Sequence, residues 1–273
     1  MKRRVWIIGP VAIDRVAYIE SLPTQGSFTR PSRIVERIGG SSANVALGLS
    51  DAGIETGFIS YIGDDENGRK IENRFSQSKI KHLHLQKVSG ESNSALVMVD
   101  SSGDRTIVAL TESHLSEITL EDIQFSKEDI VVFSLWRPFF IDHLIRVQQL
   151  GCATVVGLEA LADKKVPGAD FAIGSESEFG GANPSEHLDR FPTIVVTRGA
   201  AGSDQYQGSS VAHQGAIEGK VVDTTGAGDT FLAGYLTSIA QGESDLGSAL
   251  QLGARWAAAS IAQEGSEPAK PPL

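Results

Sequence analysis

Short apolar runs rich in β-branched residues alternate along the chain with longer stretches of helical periodicity. Residues 5–8, 57–62, 130–133, 153–157, 171–173 and 193–197 are nearly continuous in Val, Ile, Phe and Thr. They lack the in-out alternation of a half-exposed strand, which predicts strands covered on both faces. Between and around them, residues 42–52, 67–78, 138–150 and 184–191 read as helices. This β-α-β rhythm predicts an α/β fold: a doubly wound, mostly parallel sheet flanked by helices. Residues 203–206 and 210–214 read as a short meander, and 246–262 as a last helix before Pro268, Pro271 and Pro272.

Two regions break the rhythm. Residues 15–19 and 34–37 flank a polar connection containing Pro23, Gly26 and Pro31. Residues 95–100 and 105–110 flank Ser101-Ser102-Gly103-Asp104, a hairpin signal. These four segments are expected to form a small projecting β-sheet lid over the site. It would be inserted at about 15–37 and 93–111 in a single α/β domain spanning 1–273. Edge hairpins of the main sheet are the alternative.

Composition narrows the function. Lys and Arg total 24 against 34 Asp and Glu, a formal charge of −10, which speaks against a nucleic-acid partner. The lone Cys152 cannot form a disulfide within the chain and fits a reducing cytosol. The apolar start is broken by Gly9, Pro10 and Asp14, too early for a secretory segment. With no run of about 18 apolar residues, no membrane partner is expected and the expected location is cytoplasmic.

The chemistry concentrates in a few glycine-rich turns. Asp223-Thr224-Thr225-Gly226-Ala227-Gly228-Asp229-Thr230-Phe231 opens an apolar helical stretch. Amides at the start of that helix favour an anion, and Asp229 stands in the same turn as a general base or as a plain cap. Gly39-Gly40-Ser41-Ser42-Ala43-Asn44 lies where a strand turns into a helix, with Asn44 in the first turn or Ser41 or Ser42 as cap. Asp14 is read in a loop just past the end of the first strand, where ligands of open α/β sheets bind. Thr197-Arg198-Gly199-Ala200-Ala201-Gly202 ends a strand in a small-residue loop. Glu176 and Glu178 follow the 171–173 strand, either as water-bridged Mg²⁺ ligands or as helix-start acids. Arg137 follows the 130–133 strand and either meets an anion or lies on the surface. His82 and His84 are read as surface residues of a presumed strand, and Trp6, Trp136 and Trp256 as core or rim. Neither a Walker A loop nor a dinucleotide fingerprint occurs.

Together, Asp223–Phe231 and Gly39–Asn44 followed by Gly63-Asp64-Asp65-Glu66-Asn67-Gly68 make the whole chain resemble the ribokinase-like, or PfkB, carbohydrate kinases. The resemblance implies transfer of the γ-phosphoryl group of ATP, with Mg²⁺, to a hydroxyl of a sugar or sugar derivative. It implies Asp229 as base and the amides of Gly226, Ala227 and Gly228 as anion hole. Asp14, Gly39, Gly40 and Asn44 would hold the sugar. Thr197, Gly199, Gly202 and Thr225 would border the nucleotide, and Glu178 would support Mg²⁺. A potassium ion would sit against Asp223, Thr225 and carbonyls near Gly265, as in some members. The lid would close over the sugar and make a homodimer contact.

Three positions depart from common members. Ser175 stands for an Asn three residues before the Mg²⁺-associated Glu. Ser41 and Ala12 stand where ribokinases carry Lys and Asn. These shift the expected acceptor from ribose toward a fructose-like ketose, with Arg137 near an anionic group. A nucleoside kinase, or a sugar- or nucleotide-binding protein without catalysis, are the alternatives. Phe28 is the one obvious aromatic in the first lid connection to face a base. Ser175 leans toward the inactive reading and an intact Asp229 leans against it.

Overall fold

The computed structural model describes residues 3–272 except Asp104, Ala182, Ser244 and the side chain of Leu246. Asp104, at the tip of the expected hairpin, therefore lies outside the described residues. In chain order the elements are β1 (Val5–Ile8), β2 (Ala12–Tyr18), β3 (Arg33–Gly39), α1 (Ser41–Asp51), β4 (Thr56–Gly63) and α2 (Glu66–Ser76). They continue with β5 (His82–Val88), β6 (Ser94–Val99), β7 (Arg105–Ala109), β8 (Ile130–Phe133), α3 (Ile141–Gln149) and β9 (Ala153–Val156). The chain ends with β10 (Phe171–Ser175), β11 (Thr193–Thr197), β12 (Ser203–Gln207), β13 (Ser210–Gln214), α4 (Ala227–Ala240) and α5 (Leu246–Ile261).

Nine strands form one sheet in the order β13-β12-β11-β10-β9-β8-β1-β4-β5. It is parallel from β11 to β5, and only the pairs β11–β12 and β12–β13 are antiparallel. β1 explains the missing alternation. Val5 and Ile7 pack into a core shared with α1, α2, α4 and α5, while Trp6 and Ile8 pack into a second core shared with α3. All four are buried, so both parities must be apolar. The sheet grows one way from β1 through β4 and the other way from β8. The switch point between β1 and β8 is where a ligand crevice forms in this architecture.

Two expectations change here. β5 is a parallel edge strand whose His82 and His84 rings lie 5.4 and 5.7 Å from the Trp6 ring. These histidines are half-buried lids on a core aromatic, not free surface residues. Residues 184–191 do not form a helix. Only Pro184–His187 makes a tight turn, capped by the Asn183 side chain on the Ser185 amide at 3.1 Å. The chain then turns inward, because Phe191 is buried and Arg190 donates to the carbonyls of Leu161 and Asp163 at 2.7 and 3.0 Å.

The second sheet is the expected lid, in the order β3-β2-β6-β7. β2 pairs antiparallel with β3 and parallel with β6, and β6 and β7 form the hairpin. The lid strands reach from Ala12 and to Gly39, beyond the 15–37 expected. Asp14 is consequently not in a loop after β1. Gly9 and Pro10 redirect the chain, and Asp14 lies inside β2, opposite Arg37 of β3. The lid has a small core of its own, formed by Val16, Val97 and Val99 with Tyr18 and Val35 against it. Among the described residues no helix is long and apolar enough to cross a membrane.

Candidate active site

The switch point is pinned from both sides. Ser42, in the first turn of α1, and Ser134, just after β8, share a hydrogen bond at 2.6 Å. α1 is preceded by Gly40, whose φ of 95° is left-handed territory, and a Cβ there would stand 2.6 Å from the Pro10 carbonyl oxygen. Only glycine meets both conditions without strain. The turn aims Asn44 across the cleft, where its Nδ2 donates to Asp229 Oδ2 at 2.8 Å. One contact thus joins the two glycine-rich motifs over 185 residues of chain. The Asn44 Oδ1 atom is buried and has no partner.

Asp229 sits in the first turn of α4, whose residues from Thr230 to Ala240 are all buried. Burial pushes its pKa above the ordinary carboxylate value, while the Asn44 hydrogen bond and the Arg105 charge pull it back. The turn before α4 is braced from within. Asp223 accepts the Thr225 amide on Oδ1 at 2.8 Å and the Gly265 amide on Oδ2 at 3.0 Å. Gly226 caps the helix at φ 78°, and a Cβ on it would lie 2.5 Å from the Ser266 carbonyl oxygen. The Ala227 amide makes a long turn bond to the Thr224 carbonyl at 3.3 Å. The amides of Gly226, Gly228 and Asp229 have no partner among the described residues, and Gly228 is exposed with open space before it. The open donors therefore keep Gly226 and Gly228 of the set expected from the sequence, with the Asp229 amide in place of that of Ala227.

Asp14 faces the same cleft from the lid. No side chain separates it from Gly39, whose absent Cβ would collide with its carboxyl. Burial raises the Asp14 pKa, the Arg37 charge opposes that, and the Asp229 charge adds to it. Three lid arginines reach back toward the α4 turn. Arg105 donates to the Thr224 carbonyl at 3.1 Å, Arg33 to Glu264 at 2.8 Å, and Arg37 Nη1 stands 3.6 Å from Asp223 Oδ2. None of the three could be placed from the sequence, because each contact spans two distant segments.

At the other end of the crevice, Thr197 closes β11 and donates to the Gly174 carbonyl at 3.2 Å. Gly199 and Gly202 bound a tight turn after it. Arg198 is held by Glu176, Asp204 and Tyr206, which explains Glu176 without a ligand. Thr225 is buried inside its turn. Glu178 forms a capping box with Ser175, its Oε2 accepting the Ser175 amide at 3.0 Å. Ser175 thus caps the turn with its hydroxyl. Although part of Glu178 stays open to solvent, burial of its carboxyl lifts its pKa to about 7; the Ser175 amide opposes this and the Glu159 and Asp229 charges add to it. Glu159 is a neighbour that sequence reasoning missed. Its Oε2 is buried without a partner, and its Oε1 is 3.5 Å from Arg137 Nη1. Arg137 is partly exposed and also donates to the Trp136 carbonyl at 2.7 Å. Among the described residues no group of three or more His, Cys, Asp or Glu has metal-binding geometry.

The profile of the pfkB family carbohydrate kinases matches residues 2–272, which contain all of these features. The chain belongs to the pfkB family. Its class is therefore carbohydrate kinase, a phosphotransferase with an alcohol group as acceptor. This pfkB kinase is 25% identical over 303 residues to the ribokinase of Haemophilus influenzae, covering 99% of the chain and 96% of that relative. Its fold matches that of a Burkholderia thailandensis nucleoside kinase, solved with inosine, at a TM-score of 0.84 and 17% identity over 96% of the chain and 92% of that structure. It also matches a fructokinase from Vibrio cholerae O395, solved with fructose, ADP and calcium, at a TM-score of 0.78 and 22% identity over 97% and 94% of the two chains.

Proposed function

We propose that the protein transfers the γ-phosphoryl group of ATP to a hydroxyl of a sugar or sugar derivative, a fructose-like ketose being the favoured acceptor. The carrying observation is the Asn44–Asp229 contact, which sets one carboxylate between a sugar-side motif and open amides at a helix start. Asp229 takes the proton of the attacking hydroxyl. A carboxyl held above its ordinary pKa is a stronger base than a solvated aspartate. The Gly226, Gly228 and Asp229 amides, with the positive end of α4, bind the charge that develops on the transferring group. Phosphoryl transfer needs little more than this positioning and charge stabilisation.

Asp14 and Asn44 hold the sugar. The unpartnered Asn44 Oδ1 and the Asp14 carboxylate are acceptors suited to sugar hydroxyls. Gly39 and Gly40 let the acceptor approach the backbone, and Arg137 stands ready for an anionic substituent. Thr197, Gly199, Gly202 and Thr225 border the nucleotide. The Glu178 carboxylate and the unpartnered Oε2 of Glu159 fit a hydrated Mg²⁺, which neutralises phosphate charge when bound. The exposed lid residues Ile34 and Ile107 suit a homodimer contact. The reaction is cytoplasmic on this reading.

An ADP-release screen over ketoses, aldoses, sugar acids and nucleosides tests the proposal, with Asp229→Asn as control. The expected result is turnover of at least one ketose and a loss of about 100-fold or more in the variant, the low end for a missing base. Turnover confined to nucleosides would reassign the acceptor. An equally active variant would remove Asp229 from its role.

A further inference from the structure

The family resemblance puts a potassium ion against Asp223, Thr225 and carbonyls near Gly265, and the residues present do not fit one. Asp223 spends Oδ1 on the Thr225 amide and Oδ2 on the Gly265 amide, and the free side of Oδ2 faces Arg37 Nη1 at 3.6 Å. Arg37 comes from the lid. It stands directly opposite Asp14 in the β2–β3 ladder, so both side chains share the lid face that meets the cleft. Its side chain is only 15% exposed, and its Nε and Nη2 atoms are buried without a partner. A guanidinium cannot shed its proton to relieve burial, so its compensation comes from the two carboxylates beside it. The same fixed charge repels any second cation brought to Asp223.

We propose that Arg37 takes the place of the monovalent cation. Its charge holds Asp223, and through the Thr225 and Gly265 bonds it holds the turn that presents the open amides. Arg37 is a positioning residue, and the inference rests on the phosphotransfer reading above. It also means that this charge arrives with the lid instead of with the solvent.

Turnover and melting temperature, measured in potassium, sodium and choline salts of equal ionic strength, test this on the full chain, Arg37→Ala and Arg37→Lys. The unaltered protein is expected to turn over within about twofold in all three salts, because equal ionic strength screens its charges equally. Arg37→Ala is expected to lose about tenfold or more in choline, the scale for a misplaced binding group, and to regain most of it in potassium alone. Potassium should raise the melting temperature of Arg37→Ala only, and Arg37→Lys should stay indifferent to the salt. A roughly tenfold potassium activation of the unaltered protein, matching a typical effector coupling, overturns the proposal. So does an Arg37→Ala variant equally slow in every salt. If that variant does not fold, the salt response of the unaltered protein decides. If no acceptor is turned over in any salt, the phosphotransfer reading fails separately. The melting temperatures then still decide for Arg37, a potassium shift of the unaltered protein counting against it.

Discussion

The cleft takes one carboxylate from the helical body and one from the lid sheet, and the two are held in opposite ways. Asp229 starts α4, a helix buried along its length between the large sheet, α1 and α5. Asp14 rides on the lid, whose private core is Val16, Val97 and Val99. Beside that core, Ile34 is 63% and Ile107 56% exposed. Packing fixes Asp229, the proposed base, whereas a few hydrogen bonds and ion pairs fix the lid that carries Asp14, the proposed sugar ligand. Rigid chemistry and adjustable recognition are thus separated by architecture, as expected where binding is to be completed by closure.

The largest contrast comes from Asp229→Asn. It should cost about 10²–10⁴ in kcat, the range for a general base, and leave both sheets intact. Its effect on stability has a definite sign. The folded pKa of Asp229 lies above the unfolded value, so the group favours folding at low pH and opposes it as pH rises through the shifted range. The variant should therefore melt above the unaltered protein at pH 7, with the gap closing in acid. In parallel, kcat/KM of the unaltered enzyme should fall as pH drops through a value above the ordinary 3.8. A variant that melts lower at neutral pH would break the argument that burial dominates at this site.

Truncating the body should be costly and global. Phe58→Ala removes a fully buried ring stacked on Phe75 at 5.1 Å and should cost about 3–5 kcal/mol by urea titration. Gly226→Ala should cost about 1–2 kcal/mol from the left-handed backbone alone, with more from the Ser266 carbonyl, and should weaken ATP in calorimetry. In the lid, Val97→Ala should cost about 1.5 kcal/mol, for two methylene equivalents. That loss should appear as faster amide exchange confined to β2, β6 and β7, with the main transition little moved. Smallest of all, Arg33→Ala opens an exposed pair with Glu264 and should change stability by no more than about 1 kcal/mol. A global collapse of the Val97→Ala variant would erase the distinction between the sheets.

The body was easier to read from the chain than the lid. β1, β8 and β11 coincide with their apolar runs because strands covered on both faces need apolar residues at every position. Two of the four lid strands, β2 and β3, run past the expected 15–19 and 34–37, since Asp14 interrupts the apolar pattern where the strands turn toward the cleft. The glycine-rich turns were visible, and the Asn44–Asp229 contact brings them together. Arg37, Arg105 and Glu159 carried no local signal. Their neighbours lie in other segments, and an isolated arginine or glutamate reads as solvent-facing. Ser175 read as a departure, and its capping box shows the hydroxyl taking up a local backbone duty.

α4 also sets an order of failure. The helix whose start would steady a phosphate is the rod filling the interior, so it cannot loosen until the whole body melts. The flap above it can come away first. Under mild denaturant the molecule should pass through a form that still retains nucleotide and has lost its hold on the acceptor alcohol.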